Sequence, residues 1–433
     1  MPESHKISLL TAIFINMNIM IGAGVFVNTI PLAKMAGILS PLIYLLVGLL
    51  ILPLVISISR LLKIHPGGTF YTFGAREINP LMGFISAWGY FVGKLASATL
   101  MIHFAALIIQ NTFTDLKSIP TVGIDLGIIT LFTILNTLNM RIGSRIQMAF
   151  VLMKNIPILF IIFSGLILFN FVNIDTAINL GSIPLSIPLI IYAFAGFEAS
   201  CSLSAHIQNS EKNAPKALLI SFFCVSFIYA AYQFMFYSIV GAELGNLSHY
   251  FEIFPALISK IMPHSGPMAL KIQAVLQLAI ALSSLGSGYG VLFSNSWNLY
   301  AVAKHSHLPG SALLSSLNQH GVAQICLIVE ALIATAYILI TWGSPIPLQQ
   351  IGAFCSILAY TISVVALWMN AYRQKNRTQL IVPSLGLISC LALAGTCLYG
   401  FTQNGTYAPG LFFGLLILGV ILFYWQKRPA SAA

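Results

Sequence analysis

Asn18-Ile19-Met20-Ile21-Gly22-Ala23-Gly24-Val25-Phe26 sits midway along an apolar stretch, 8–30, that is long enough to cross a bilayer. A second such stretch, 183–204, carries Tyr192-Ala193-Phe194-Ala195-Gly196-Phe197-Glu198 at its own midpoint. Backbone surrounded by hydrocarbon must satisfy its own hydrogen bonds. A glycine-broken helix therefore survives there only where it faces protein or a watery cavity. These two segments are read as crossing helices that unwind halfway.

The rest of the chain extends that reading. Of 433 residues, 58% are hydrophobic and 7% charged, and mean hydropathy is +0.91. A soluble globular domain carries about 25% charged residues. Apolar runs recur along the whole length, at 8–30, 38–59, 79–112, 122–139, 149–171, 183–204, 216–240, 267–295, 323–341, 348–369, 381–401 and 408–425. The expected fold is an all-α polytopic membrane protein of about 12 transmembrane helices. Helices 3 and 8 are long enough to tilt or to project beyond the bilayer.

The breaks fall in helices 1 and 6, five helices apart. An odd number of crossings separates them, which predicts two halves of opposite topology, a 5+5 inverted repeat. The expected units are 1–175 (helices 1–5), 176–375 (helices 6–10), and 376–433 (helices 11 and 12 with a short tail). Paired breaks in matching positions of two halves point to the substrate site of a secondary transporter.

The placement of charge gives orientation. With the N-terminus inside, fourteen basic residues fall on the inner side, from Lys6, Arg60 and Lys63 through Arg373, Lys375 and Arg377 to Lys427 and Arg428. Only Lys34, Lys117, Lys260 and Lys271 fall outside. Both termini are therefore expected in the cytoplasm, and helix 1 serves as an uncleaved signal. The net charge of +10 is spread over many short loops, which argues against a nucleic-acid surface. The six cysteines all fall in expected spans, so no disulfide framework is indicated, and no metal-ligand spacing emerges. The loop 241–266 is expected to form a short surface helix.

Several motifs, in chain order, resemble the amino acid–polyamine–organocation (APC) superfamily of transporters. Gly22-Ala23-Gly24 is similar to its helix 1 signature. Pro66-Gly67-Gly68-Thr69-Phe70-Tyr71 is similar to its inner loop after helix 2, in slightly altered register. Arg141-Ile142-Gly143 with Gln147 and Lys154 resembles the approach to helix 5. Phe194-Ala195-Gly196-Phe197-Glu198 resembles the helix 6 signature, and Asn209 to Ala217 the stretch after it. Tyr300-Ala301-Val302-Ala303 with Leu308-Pro309 resembles the end of helix 8. The chain departs from the pattern where Ala205, His206 and Ser210 replace an acidic pair and a proline, and where Trp297 replaces an arginine.

The resemblance implies a LeuT-type fold with discontinuous helices 1 and 6, and helices 1, 2, 6 and 7 rocking as a bundle. It implies a substrate site at Met20, Ile21, Gly22, Ala23, Gly24, Tyr192, Phe194, Ala195 and Gly196. A substrate carboxylate would meet the half-helix that starts after Gly22-Ala23-Gly24, whose free N–H groups carry partial positive charge. The carbonyls of Met20, Tyr192 and Ala195 would take its ammonium group, with Tyr192 or Phe194 as an aromatic cover. Plain helix packing through small residues and core aromatics is the alternative at each of these positions.

Interior ionisable groups are the candidates for coupling. Lys154 lies about five residues into expected helix 5. By resemblance it sits beside the helix 1 break, where sodium-driven relatives of this fold hold a cation. It would carry a coupled proton, stand as a fixed charge, or snorkel to the inner interface. Glu198 would carry a proton or brace the break. Ser283, Ser284 and Ser287 are expected to bond back to their own helix. Lys94, His103 and Glu330 remain as possible relays. No acidic residue lies inside either break, which favours neutral L-amino acids, with arginine or amines admitted only through Glu198 or Glu330.

The function expected is amino-acid transport across the cell (inner) membrane by alternating access, with proton coupling or, alternatively, by exchange. The partners are a small amino-acid substrate and membrane lipid. No cofactor is called for beyond a coupling proton. A non-transporting nutrient receptor is a rival reading. An enzyme is not expected, because no nucleophile–base pair or metal set appears.

Overall fold

The computed structural model describes residues 6–168, 183–248, 250–263, 266–404 and 407–426. Among them, ten helical stretches are long and apolar enough to cross a membrane, and two shorter apolar helices, Thr121–Asn136 and Leu189–Ser202, stand in the fourth and sixth expected places. The chain is a multi-pass, all-α membrane protein.

The first span is discontinuous. α1 (Leu9–Met20) starts at Ser8, whose side chain accepts the Thr11 N–H, and unwinds at 21–23 before α2 (Gly24–Val27). After α3 (Thr29–Ala36) come α4 (Ser40–Ile64), α5 (Phe70–Glu77), α6 (Pro80–Thr112), α7 (Thr121–Asn136) and α8 (Met140–Leu168). The sixth span is again broken, into α9 (Ile183–Phe194) and α10 (Ala199–Ser202). There follow α11 (Ser210–Val240), α12 (Ile253–Ile261), α13 (Gly266–Lys304) and α14 (Ser311–Leu314). The chain closes with α15 (Gln324–Thr341), α16 (Pro345–Arg373), α17 (Arg377–Asn404) and α18 (Tyr407–Gln426).

Several boundaries differ from the sequence expectation, because hydropathy marks only the apolar part of a helix and exposed polar residues such as Arg141, Arg145, Glu211, Lys212 and Lys304 continue it. α8 begins at Met140 rather than 149, and α11 at Ser210 rather than 216. α13 runs on to Lys304, 39 residues in all. α5 was not expected. Thr69 and Thr72 form a capping box after the Pro-Gly-Gly turn, and a Cβ on Gly74 would meet the Gly83 nitrogen at 2.7 Å, so α5 folds back tightly onto α6. The outer-loop helix forms as α12, with Ser259 and Lys260 exposed on its outer face. Ile253, Phe254, Leu257 and Ile258 are buried against α11 and α13. The expected boundary at 175/176, the end of expected helix 5 and the tail with Lys427 and Arg428 lie outside the described residues.

α6 and α13 pack side by side along their length, with α16 on α6. α4 packs on α11, and α1 lies among α8, α11 and α13. The two breaks therefore meet near the centre of the molecule.

Candidate functional site

Unwinding at Ile21–Ala23 exposes a run of carbonyls that α1 no longer uses. Side chains of three other helices take them. Lys154 on α8 donates to the Asn18 carbonyl at 2.7 Å and to the Ile21 carbonyl. Ser287 on α13 donates to Ile19 at 2.6 Å, and Ser283 reaches Ile21 and Gly22 at 3.2 Å each. Tyr229 on α11 donates to Met20 at 2.7 Å and to Ala193 of the other broken helix at 3.2 Å. Asn18 ties the same turn to α8 and α13 through Gln147 and the Gly286 carbonyl.

Two sequence expectations change here. Lys154 does not snorkel. α8 starts at Met140, so the residue lies deep in the helix, fully buried, with its ammonium on the α1 break. Ser283 and Ser287 do not bond to their own helix, because unwound carbonyls across the interface are the acceptors without partners of their own. Ser284 faces the Met101 sulfur at 3.8 Å.

At the second break Gly196 adopts φ +130°, open to glycine but strained for other residues. A Cβ there would come within 2.8 Å of the Met20 nitrogen, so the two breaks touch backbone to backbone. Glu198 closes the turn. One of its oxygens accepts the Gly196 N–H at 2.7 Å. The other accepts Tyr90 at 2.7 Å and Lys94 at 2.8 Å, both from α6. The pair Lys94–Glu198 is buried and links α6 to the broken helix.

Between the breaks lies a cavity of about 30 Å³, room for about one water. Of the residues expected at a substrate site, Met20, Gly22, Gly24, Tyr192 and Ala195 line it. Ile21, Ala23, Phe194 and Gly196 do not. The Ile21 carbonyl is turned to Lys154 and Ser283, Ala23 is fully buried, and Gly196 is spent on the backbone crossing. Phe194 packs with Tyr44, Phe222 and Tyr229 at 5.4–6.3 Å between ring centres, as core and not as a cover. The Met20 carbonyl already accepts Gly22 N–H and Tyr229, and the Tyr192 carbonyl accepts Ala195 N–H. No donor reaches the Ala195 carbonyl among the described residues.

α6 and α13 complete the wall with Lys94, Ser97, Met101, Ser287 and Val291. Sequence reading had noted Lys94 and Ser287 without placing them, and it missed Tyr90 and Tyr229. Tyr90 stands one turn before Lys94 on the same helix face, a spacing that could have paired them. Nothing local marks Tyr229.

The sequence profile of the family described as amino acid permease matches residues 7–426. The chain belongs to the amino acid permease family. The human cystine/glutamate transporter is 24% identical, over 98% of this chain and 86% of its own length. The serine/threonine exchanger SteT of Bacillus subtilis is 25% identical, over 98% of both chains. The human Asc-type amino acid transporter 1 is 21% identical, over 98% of this chain and 83% of its own.

On the face that carries its N-terminus the permease is closed by short backbone contacts. Ile7 and Ile207 form a parallel bridge, with Ile7 N–H on the His206 carbonyl at 2.9 Å and Gln208 N–H on the Ile7 carbonyl at 3.0 Å. The loop before α5 joins them, Gly67 N–H meeting Ser210 at 3.2 Å. Tyr71 stacks on His305 and hydrogen-bonds His307 at 2.6 Å. Two of the departures from the family pattern meet at this face, with the His206 and Trp297 rings 4.0 Å apart. Burial and the charge of Lys6 hold the His206 imidazole down to about 4.

The other interior groups of the permease lie apart from the cavity. His103 on α6 pairs with Asp125 on α7 at 2.8 Å. Asp125, an acid in an apolar span, was a legible signal that the sequence reading passed over. Glu330 on α15 is buried, and neither carboxylate oxygen has a hydrogen-bond partner among the described residues.

Proposed function

We propose that this permease carries neutral L-amino acids across the cytoplasmic membrane by alternating access, with a co-transported proton, and that both termini face the cytoplasm. The observation that carries the substrate class is the buried Lys94–Glu198 pair beside the cavity. Its charges cancel, and all three donors around Glu198 are engaged, so no free carboxylate is left for a cationic side chain. The Ala195 carbonyl and the helix start at Gly24 are the polar ends available to an ammonium and a carboxylate.

The closed cavity is too small for an amino acid. The bundle of α1, α4, α9 and α11 must move against α6 and α13 to admit one, the two five-helix halves acting as an inverted repeat. Glu198 is the brace of the second break. Lys154 is a fixed charge on the first, held by two carbonyls in the place of a cation. A fixed charge also suits obligatory exchange, the second reading, and one relative is named an exchanger.

Uptake of a labelled neutral amino-acid mixture into proteoliposomes tests this, with and without an inward proton gradient and with or without preloaded amino acids. Accumulation in empty vesicles under the gradient is the expected result. Uptake only into preloaded vesicles selects exchange, and no uptake in any condition rejects transport of this substrate class.

A further inference from the structure

α4 ends in Arg60 and Lys63 on the face that carries the N-terminus, and the turn from α16 to α17 lies beside it. Between the three helices is an open pocket of about 360 Å³, against about 30 Å³ for the cavity at the breaks. Its polar wall consists of donors. Arg60 and Lys63 come from α4, Asn370 and Gln374 from the end of α16, and Thr378 and Gln379 from the first turn of α17. No acid is among the described residues that line it.

The positive charge in this pocket is uncompensated. Arg60 is half-buried, and neither Arg60 nor Lys63 has an ion-pair partner among the described residues. Glu77 of α5 is the acid that reaches α16, and it is already taken. His65 holds it at 2.7 Å and Asn370 at 3.0 Å, with Arg373 3.7 Å away. Gln374 spends one N–H on Asn370 Oδ1 at 2.9 Å and keeps a second. Thr378 and Gln379 are exposed, and α17 starts here, so its dipole adds partial positive charge.

The pocket lies at the depth of a headgroup layer. One turn further along α17, Ile381, Leu385 and Ile388 are exposed in a single stripe, in line with Thr378. On α16, Trp368 and Tyr372 stack with ring centres 5.2 Å apart, and Tyr372 is exposed. Such aromatics mark the membrane–water interface. A free anion would use the donors alone, whereas a phospholipid uses both the donors and the stripe. We propose that this pocket binds the phosphodiester headgroup of an anionic phospholipid. Arg60 and Lys63 take the phosphate, and an acyl chain follows Ile381, Leu385 and Ile388. A zwitterionic lipid brings its own ammonium to two uncompensated cations and is disfavoured. The lipid bridges α4 to α16 and α17, and its binding does not depend on what the permease carries.

The test is thermal unfolding of the whole permease in detergent, titrated with dioleoylphosphatidylglycerol, dioleoylphosphatidylcholine or inorganic phosphate. Only the phosphatidylglycerol is expected to raise the unfolding temperature saturably. Arg60→Gln with Lys63→Gln removes both cations and should weaken that binding about thirtyfold. Lys212→Gln with Lys216→Gln, two exposed cations in the first turns of α11, should leave the titration where it was. No response to phosphatidylglycerol, an equal response to phosphatidylcholine, or an equal loss in both double variants overturns the proposal. The same shift from inorganic phosphate alone makes this a free-anion site and overturns the lipid assignment. Should the Arg60 and Lys63 variant fail to fold, Gln379→Glu serves, because it puts a carboxylate at an exposed position of the same wall. That charge must repel the phosphate, so an unmoved titration in folded Gln379→Glu protein rejects the site.

Discussion

Gly196 and Met20 approach so closely that a methyl group on one would lie 2.8 Å from the backbone nitrogen of the other. The two unwound segments are thus a single crossing. Gly196→Ala adds that clash to a φ of +130°, a conformation costing roughly 1–3 kcal/mol for a side-chain-bearing residue. Uptake should be abolished and the unfolding temperature lowered. Gly410→Ala, which meets open space in α18, should leave both unchanged.

Lys154 supplies two charge-assisted hydrogen bonds to the first break, each worth about 1.5–3 kcal/mol. Lys154→Ala should cut initial uptake by roughly two to four orders of magnitude, at about 1.4 kcal/mol per tenfold. If the lysine is a fixed charge, as proposed, the residual flux keeps the wild-type dependence on pH. A flattened pH profile in Lys154→Ala would make the lysine the proton carrier instead.

Removing one member of the Lys94–Glu198 pair leaves the other buried and uncompensated. Lys94→Met and Glu198→Gln should each cost about 3–5 kcal/mol of stability. The double variant should recover part of that loss in a thermal-unfolding cycle, and additive losses would show the pair to be uncoupled.

Ser287 and Ser284 are neighbours with different partners. Ser287→Ala forfeits a hydrogen bond to the Ile19 carbonyl at the cavity wall, about 1 kcal/mol or about fivefold in apparent affinity. Ser284→Ala, facing a thioether at 3.8 Å, should stay within about twofold. Concentration dependence of uptake checks both.

His206 makes the closed N-terminal face sensitive to acid. Its folded value is depressed from 6.5 to about 4, so the stabilisation from the neutral buried ring is complete above pH 6.5. It is lost as pH falls from there through about 4. An imidazolium quenches a neighbouring indole, so Trp297 emission should fall with a midpoint near 4 and not near 6.5. The step should vanish in Trp297→Phe.

Much of this permease was legible in its sequence. Twelve apolar segments, the breaks at Gly22–Gly24 and Gly196, and the order of the family motifs depend on local composition and spacing, and hydrocarbon tolerates few alternatives to a helix. Helix ends were less legible. Met140 and Ser210 begin helices in polar sequence because hydropathy reports only the apolar length of a helix, not the exposed polar turns that continue it.

The site divides in the same way. Sequence alone determined that two helices break and that ionisable groups lie in the interior, since both are properties of a residue and its neighbours in the chain. Only tertiary structure decided which groups meet. Lys94 with Glu198 and Tyr229 with Met20 are each more than a hundred residues apart. The removal of Phe194 from the cavity, and the isolation of Glu330, likewise depend on which face of each helix turns inward. A hydrogen bond is decided over a few tenths of an ångström, and periodicity along a single helix does not reach across to its partner.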